Sequence, residues 1–302
     1  MKLNASCFLL LFSALIPSCG DSSKSPTTPA PAPPTAQPTQ APPTSTLEKE
    51  LRTVALNEDL LHAEVKRFNP AYERGGQFSI ENGQLVAAVL AGQKVENLRC
   101  FERLPLQALD ISDTGVADLS PIKGLPLRQL MMERTKVSDL KPLTGMKLEM
   151  FYAGGTLISD LTPLKGMPLA EVNIVGTKVR SLAGLEQSPV SMLWLTDCPL
   201  EDISATKTMP LVSVTLHRTK VKDLSPLSGT NLRRLHIAET PVADLSPLEG
   251  LPLTRLVFTP ANIKIGMEIA KGLPLQEVGT RFDDGGNDLQ PPNAFWANQP
   301  SK

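Results

Sequence analysis

The stretch "VSDLKPLTGM", from Val137 to Met146, recurs along this chain with small changes. Similar sequences occur at 116–125, "VADLSPIKGL", and at 242–251, "VADLSPLEGL". If each unit begins at the residue before "PL" or its variants, the units follow one another every 21 residues, with a last step of 22. The starts are Leu104, Leu125, Met146, Met167, Ser188, Met209, Thr230, Leu251 and Leu273, preceded by a weaker copy from Gly83. A fixed period of this length predicts a solenoid of stacked repeats.

Apolar residues occupy positions 3, 6, 8, 13, 16 and 19 of each unit. In the second copy these are Leu127, Leu130, Met132, Val137, Leu140 and Leu143. Positions 6 and 8 alternate with polar or variable neighbours, which indicates a strand of about four residues. Because such a strand is too short to stand alone, we expect it to pair in parallel with the same strand of the next unit.

The return segment, "VxDLSPL", predicts a tight turn. Its Asp side chain can accept the backbone N–H two residues on, and its Pro presets φ, which together favour one turn of 3-10 helix. A Thr at position 11 offers a hydroxyl to the backbone in the bend after the strand. The Asp residues are Asp118, Asp139, Asp160, Asp202, Asp223 and Asp244. The Thr residues are Thr114, Thr135, Thr156, Thr177, Thr219 and Thr240.

The pattern LxxLxLxxTxV resembles the leucine-rich repeat, over Gly83 to Gly279. The repeat length and the "DLSPL" return are similar to the internalin and phosphatase-regulator type, and the wording resembles repeats of planctomycete and lentisphaera-type proteins. The resemblance implies an α/β repeat solenoid with a curved parallel sheet on its concave face and 3-10 or irregular turns on its convex face. It also implies that partners are recognised on the concave face.

The start of the chain reads as an export signal over residues 1–18, with Lys2 before the apolar run Phe8 to Ile16. That run is too short to span a bilayer. "LIPSCG" resembles the signal of a bacterial lipoprotein, with Pro17 in place of the usual small residue. The resemblance implies a lipid on Cys19 and a place in the bacterial cell envelope, at the outer membrane or cell surface; the alternative is an ordinary cleaved signal. Residues 19–46 are rich in Pro, Thr and Ser and predict a disordered tether.

The open ends of a solenoid need caps because they would expose the core. Residues 47–82 predict a helical N-terminal cap, with apolar residues at helical spacing from Leu51 to Phe68. Residues 83–279 are the repeats, and residues 280–302 predict a C-terminal cap or tail with Phe295 and Trp296 as candidate plugs. We expect Cys100 and Cys198 not to pair, since they lie about five repeats, or about 24 Å, apart.

The composition favours a binding or structural role over an enzyme. With 30 Lys+Arg against 31 Asp+Glu and 4% aromatic residues, the chain lacks the basic excess and the stacking platforms of a nucleic-acid-binding protein. No nucleophile with its base, metal cluster or phosphate loop is present at convincing spacing, so no enzyme activity, cofactor or metal is predicted. His217, His236 and Glu239 could together hold a metal, but two surface histidines fit better. "DDGGND" from Asp283 to Asp288 fits a solvated turn better than a calcium loop.

Outward positions of the strands point to a partner-binding face. Tyr and Trp occur twice each, and one of each lies at position 7; aromatic, Met and Arg side chains are enriched at interface centres. The predicted partner-binding residues are Met131, Arg134, Met150, Tyr152, Asn173, Met192, Trp194, His217, Arg234 and His236. We expect a monomer that binds a protein or peptide. The alternative is an envelope-spacing lipoprotein without a ligand, whose long side chains shield the sheet; a kinase-linked regulator has less support.

Overall fold

A computed structural model describes residues 56–283 and 286–298 of the chain. The predicted signal, the lipidation residue Cys19 and the predicted tether therefore lie outside the described residues. So does the part of the predicted N-terminal cap before Leu56. In the described part, no helix has both the length and the apolar character needed to cross a membrane.

One 11-stranded sheet runs through the repeats, with its strands in chain order. The strands are β1 (Gln77–Glu81), β2 (Gln84–Val89), β3 (Ala108–Asp110), β4 (Gln129–Met131), β5 (Met150–Tyr152), β6 (Glu171–Asn173), β7 (Met192–Trp194), β8 (Ser213–Thr215), β9 (Arg234–His236), β10 (Arg255–Val257) and β11 (Glu277–Gly279). β1 and β2 pair antiparallel, and β2 to β11 pair in parallel. The predicted parallel solenoid is confirmed.

The antiparallel hairpin at the start of the sheet was not predicted. Asn82 and Gly83 connect β1 to β2 with φ angles of 50° and 74°. Two successive positive φ angles suit a tight hairpin turn, and Asn-Gly is the pair that adopts them at least cost. The dipeptide within "FSIENGQLVAAV" is the sequence signal for this hairpin.

The core lies behind the sheet, and its register follows from the repeat length. Leu130 of β4 is aligned with Phe151 of β5 because they are one period apart. The residues at position 6 form a fully buried row: Leu109, Leu130, Phe151, Val172, Leu193, Val214, Leu235 and Leu256. Each unit covers the apolar side of its neighbour and so buries these side chains. Each buried side chain contributes roughly 1.5–3 kcal/mol to stability before entropy is subtracted.

Most return segments form the predicted 3-10 turns, which an Asp and a Pro favour; Ser204–Thr208 forms with Ala205 in place of the Pro. Asp139 Oδ1 accepts the N–H of Lys141 at 2.9 Å, and Asp223 Oδ1 accepts the N–H of Ser225 at 2.8 Å. Where Gly184 replaces Pro, no 3-10 helix forms between β6 and β7. The 3-10 helices are Arg99–Phe101, Ser120–Ile122, Lys141–Leu143, Thr162–Leu164, Ser204–Thr208, Ser225–Leu227, Ser246–Leu248 and Pro260–Asn262.

Most residues of the Thr row donate to a backbone carbonyl inside the bend after the strand. Thr135 Oγ1 donates to the carbonyl of Met132 at 2.8 Å, and Thr219 Oγ1 donates to that of Leu216 at 2.7 Å. Cys198 takes this position in the fifth unit, where its thiol donates to the carbonyl of Ile174 at 3.1 Å. Cys100 and Cys198 are both free and buried.

Helices lie at the two ends of the repeats: α1 (Glu58–Phe68), α2 (Met267–Gly272) and α3 (Pro292–Ala297). The side chain of Asn57 accepts the N–H of Leu60 and so starts α1, which buries Leu61 and Val65 in the core. In α3, Phe295 is 1% exposed and packs 5.9 Å from the ring of Phe258. A short hairpin, β12 (Phe282–Asp283) with β13 (Gly286–Asn287), follows the sheet.

Candidate partner-binding surface

The concave face consists of the side chains at positions 5, 7 and 9 of each unit, on and just after the strands. Because successive side chains of a strand point to opposite sides, these residues face away from the buried positions 6 and 8. Most of the predicted partner-binding residues lie in strands β4 to β9 at positions 5 and 7: Met131, Met150, Tyr152, Asn173, Met192, Trp194, Arg234 and His236. His217 follows at position 9, and Arg134 lies at position 10 on the rim.

Tyr152 and Trp194 form the aromatic centre of this face. Their ring centroids are 5.9 Å apart, and the ring planes meet at 74° in an edge-to-face arrangement. Both side chains are half-buried, as are Met150 and Met192 at position 5 of the same strands. The rings approach one another across β6, which lies between β5 and β7. The middle of the concave face is therefore an apolar patch that keeps part of its surface in solvent.

The Tyr152 ring is held in place through its hydroxyl. The Tyr152 hydroxyl donates to Glu171 Oε2 on the neighbouring strand. Burial, together with this hydrogen bond and the charge of Glu171, raises the pKa of Tyr152 well above its usual value. The phenol therefore stays neutral, and the ring presents one fixed orientation to solvent.

Asn173 and Glu133 form a second polar link beneath the aromatic centre. Asn173 Nδ2 donates to Glu133 Oε1 at 3.1 Å, and Asn173 Oδ1 accepts the N–H of Val175 at 3.1 Å. A Cβ atom on Gly154 would lie only 3.3 Å from Asn173 Oδ1 and 3.4 Å from Glu133 Oε1. The absence of a side chain at Gly154 therefore leaves room for this link.

Glu133 is a site residue that was missed in the sequence. It occupies position 9, which the strand alternation places on the same side as positions 5 and 7. The predicted contacts included His217 at position 9 but not Glu133, although the same alternation indicates Glu133. Burial raises the pKa of the Glu133 carboxyl, while the charge of Arg134 acts against this rise.

The part of the concave face from β3 to β6 is acidic. Asp110, Glu133 and Glu171 lie on it, and no Lys or Arg occupies positions 5, 7 or 9 of these four units. Burial raises the pKa of the Asp110 carboxyl, which accepts the N–H of Ser112 at 2.9 Å. On the rim, the predicted contact Arg134 is held by Asp113, with nitrogen–oxygen distances of 2.5 and 2.7 Å. The guanidinium of Arg134 is thus already engaged within the chain.

The part from β9 to β10 is basic. Arg234 of β9 is exposed and aligned in register with Arg255 of β10. Arg255 pairs with Glu277 of β11 at 2.5 Å. Arg233, one residue before Arg234, is also exposed. The acidic part (β3 to β6) and the basic part (β9 to β10) therefore carry charges of opposite sign, and the aromatic centre on β5 and β7 overlaps the acidic part.

Three predicted contacts are buried rather than exposed: Met131 is 6%, His217 2% and His236 5% exposed. The interpretation of His217 and His236 as surface histidines is wrong. Because parallel strands lie about 4.8 Å apart, longer side chains on neighbouring positions can cover these rings. His217 Nε2, for example, lies 2.6 Å from Arg218 Nη1 and 3.4 Å from Glu239 Oε1. Burial, with the charges of Arg255, His217 and Arg234, lowers the pKa of His236 to about 4. In the described ranges, no three His, Cys, Asp or Glu residues could hold a metal ion.

Comparisons with known proteins show the architecture. No protein-family model matches the sequence, and no curated protein matches it. An internalin (inlF) from Listeria monocytogenes is 20% identical with a TM-score of 0.59, over 78% of this chain and 67% of that one. An internalin C2 (inlC2) from the same organism is 19% identical with a TM-score of 0.54, over 66% of this chain and 92% of that one. At these identities the similarity shows the fold alone, which is a leucine-rich-repeat solenoid like that of the internalins.

Proposed function

We propose that this protein is a non-enzymatic binding module that captures a protein or peptide on its concave face. The aromatic centre is the main support for the proposal. Tyr152 and Trp194 keep part of their surface in solvent, and they are among the few Tyr and Trp residues in the chain, which has two of each. Half-buried aromatic rings with fixed orientation are the side chains that most often anchor an interface, because they bury a large area at little cost in side-chain entropy.

The hydrogen bonds of this face support the same role. The bond from Tyr152 to Glu171 and the bond from Asn173 to Glu133 fix side chains that would otherwise lose freedom on binding. A face ordered before binding gives up less entropy when a partner arrives. Met150 and Met192 beside the rings add flexible apolar contacts that adapt to the shape of a partner.

The test is a double variant, Tyr152→Ala with Trp194→Ala, used to capture partners from the native organism. We expect the partners to be lost while the thermal unfolding midpoint changes little, because both side chains are only half-buried. The matched control replaces exposed apolar residues away from the concave face, Leu157→Ala with Ile265→Ala; these are 47% and 58% exposed. Capture of the same partners by the double variant would contradict the proposal.

A structural role without a ligand is the second candidate. It is supported by the hydrogen bonds within the concave face, which satisfy Glu133, Asn173 and Tyr152 without any partner. On this view the long side chains shield the sheet, and the repeats serve as an envelope spacer. Capture of no specific partner by the unaltered protein would favour this reading.

We further propose that the protein is attached to a membrane of the bacterial cell envelope through a lipid on Cys19. The support is the sequence "LIPSCG" followed by a tract rich in proline. More than one acyl chain is needed for stable attachment, because a single chain binds only marginally. The variant Cys19→Ala should move the protein from the membrane fraction to the soluble fraction, and the mass of the mature N-terminal peptide should reveal the lipid. An unlipidated N-terminus, or full membrane retention of the variant, would contradict this attachment.

A further inference from the structure

The charges of the concave face are separated in a way that stability alone does not explain. Asp110 and Glu133 are carboxylates whose pKa values burial has raised. An ionised carboxylate in a poorly hydrated place costs free energy unless a cation or several donors compensate for it. The nearest cation on the rim, Arg134, is engaged by Asp113. In the described part of the chain, Glu133 and Asp110 therefore receive neutral donors from Asn173 and Ser112, whereas no Lys or Arg occupies positions 5, 7 or 9 of their units.

The basic end shows the opposite imbalance. Arg234 and Arg255 are aligned on neighbouring strands, and like charges directly opposite each other across two strands are destabilising. Of these two residues, Arg255 has the carboxylate of Glu277 in the described part of the chain, whereas Arg234 extends into solvent. His236, behind them, does not add charge near neutral pH because its pKa is about 4.

The spacing of the two ends fits an extended peptide. β4, which precedes Glu133, and β9, which contains Arg234, are five strands apart. At about 4.8 Å per strand the separation is about 24 Å, which an extended chain at about 3.3 Å per residue covers with about seven residues. The aromatic centre lies on β5 and β7, between the two ends. A bound segment would therefore cross Tyr152 and Trp194 on its way.

We propose, building on the binding role proposed above, that the partner is a protein segment with opposite charges at its two ends. Its basic side chains would lie against Asp110 and Glu133, an apolar or aromatic residue would contact the aromatic centre, and its acidic side chains would lie against Arg234. Both ends gain by this arrangement, because Arg234 receives a carboxylate and the carboxylates of Asp110 and Glu133 receive a cation. Such complementarity sets the orientation of the partner and its rate of association more than its final affinity.

The test is the selection of displayed random peptides on the purified full chain, followed by affinity measurements on the selected peptides. The charge variant is Arg234→Glu, at the exposed residue of the basic end. The matched control is Arg180→Glu, an exposed arginine at position 14 of the fourth unit, outside the concave face. Both variants change the net charge equally, and circular dichroism confirms that each is folded. If Arg234→Glu does not fold, Arg234→Gln replaces it, with a smaller expected loss.

We expect selected peptides to carry a Lys/Arg cluster and an Asp/Glu cluster separated by about seven residues. Arg234→Glu should slow the association of these peptides, and so weaken their binding, about tenfold, whereas Arg180→Glu should leave both unchanged. Peptides of a single charge sign, equal binding by Arg234→Glu, or no enrichment at all would overturn the inference. Uncharged peptides that bind through Tyr152 and Trp194 would overturn it while leaving the proposed function in place. Failure of the proposed function itself would show separately, as capture of native partners by the Tyr152→Ala, Trp194→Ala variant.

Discussion

His236 should make the protein less stable in mild acid, and the effect can be calculated. The folded state lowers the pKa of His236 from 6.5 to about 4, chiefly by burial and then by the charges of Arg255, His217 and Arg234. Between these two pH values the unfolded chain binds a proton on this imidazole and the folded chain does not. The contribution of His236 to folding stability is therefore fully present above pH 6.5 and is lost as the pH falls toward 4.

A pKa difference of one unit between the folded and unfolded states corresponds to about 1.36 kcal/mol of folding stability. The loss of stability is therefore about 3 kcal/mol between pH 6.5 and pH 4, and roughly 2.5 kcal/mol between pH 7 and pH 4.5. The assay is urea unfolding of the native protein and of His236→Gln at both pH values. Between pH 7 and pH 4.5, the free energy of unfolding of the native protein should fall by roughly 2.5 kcal/mol more than that of His236→Gln. The raised pKa values of Asp110 and Glu133 act on stability with the opposite sign, but both carboxyls are present in both proteins and cancel in the comparison.

A direct readout is the imidazole titration by NMR, since the chain has 3 His and each can be assigned by substitution. The resonance of His236 should move with a midpoint well below 6.5. A midpoint near 6.5, or a loss in the native protein within about 1 kcal/mol of that in His236→Gln, would refute the reasoning. His217→Gln should raise this midpoint slightly, because it removes one of the charges that lower the pKa of His236.

Two further perturbations test the repeat itself. Asp160 Oδ1 accepts the Thr162 N–H at 2.9 Å, so Asp160→Ala should lower the free energy of unfolding by about 1 kcal/mol. The control, Ser159→Ala at an exposed neighbour, should leave that free energy unchanged. Equal unfolding midpoints for the two variants would argue against the role of Asp160. Phe151→Ala empties a fully buried position in the core row and should cost about 3–5 kcal/mol, measured by urea unfolding; a loss below about 1 kcal/mol would show that position 151 is not packed in the row.

Much of the fold could be predicted because one short sequence motif recurs at a constant interval. Leu130 and Phe151 are one period apart, so whatever forces Leu130 inward also forces Phe151 inward, and the two strands must align. The turn after each strand was predictable for a similar reason, since Asp139 and Pro142 act on their immediate neighbours. The hairpin at Asn82 and Gly83 did not follow from the repeat pattern, because it lies at the weak first copy of the repeat.

The candidate site was predictable only in part. Tyr152 and Trp194 could be placed on the outward side of the strands from alternation alone. Their edge-to-face contact could not, because the rings meet across an intervening strand. The burial of His217 and His236 was likewise missed, since it depends on how far Arg218 and other neighbours reach.

By itself, the sequence determined which residues share a level in the stack and which side of the sheet they occupy, since both follow from the period of the repeat and the two-residue alternation of a strand. Only the tertiary structure decided which outward side chains stay in solvent and which pair with one another. Glu133 and Asn173, for example, are 40 residues apart in the chain and meet at 3.1 Å. The physical reason is that backbone pairing repeats with the sequence, whereas side-chain contacts depend on the length, charge and rotamer of neighbours that differ from unit to unit.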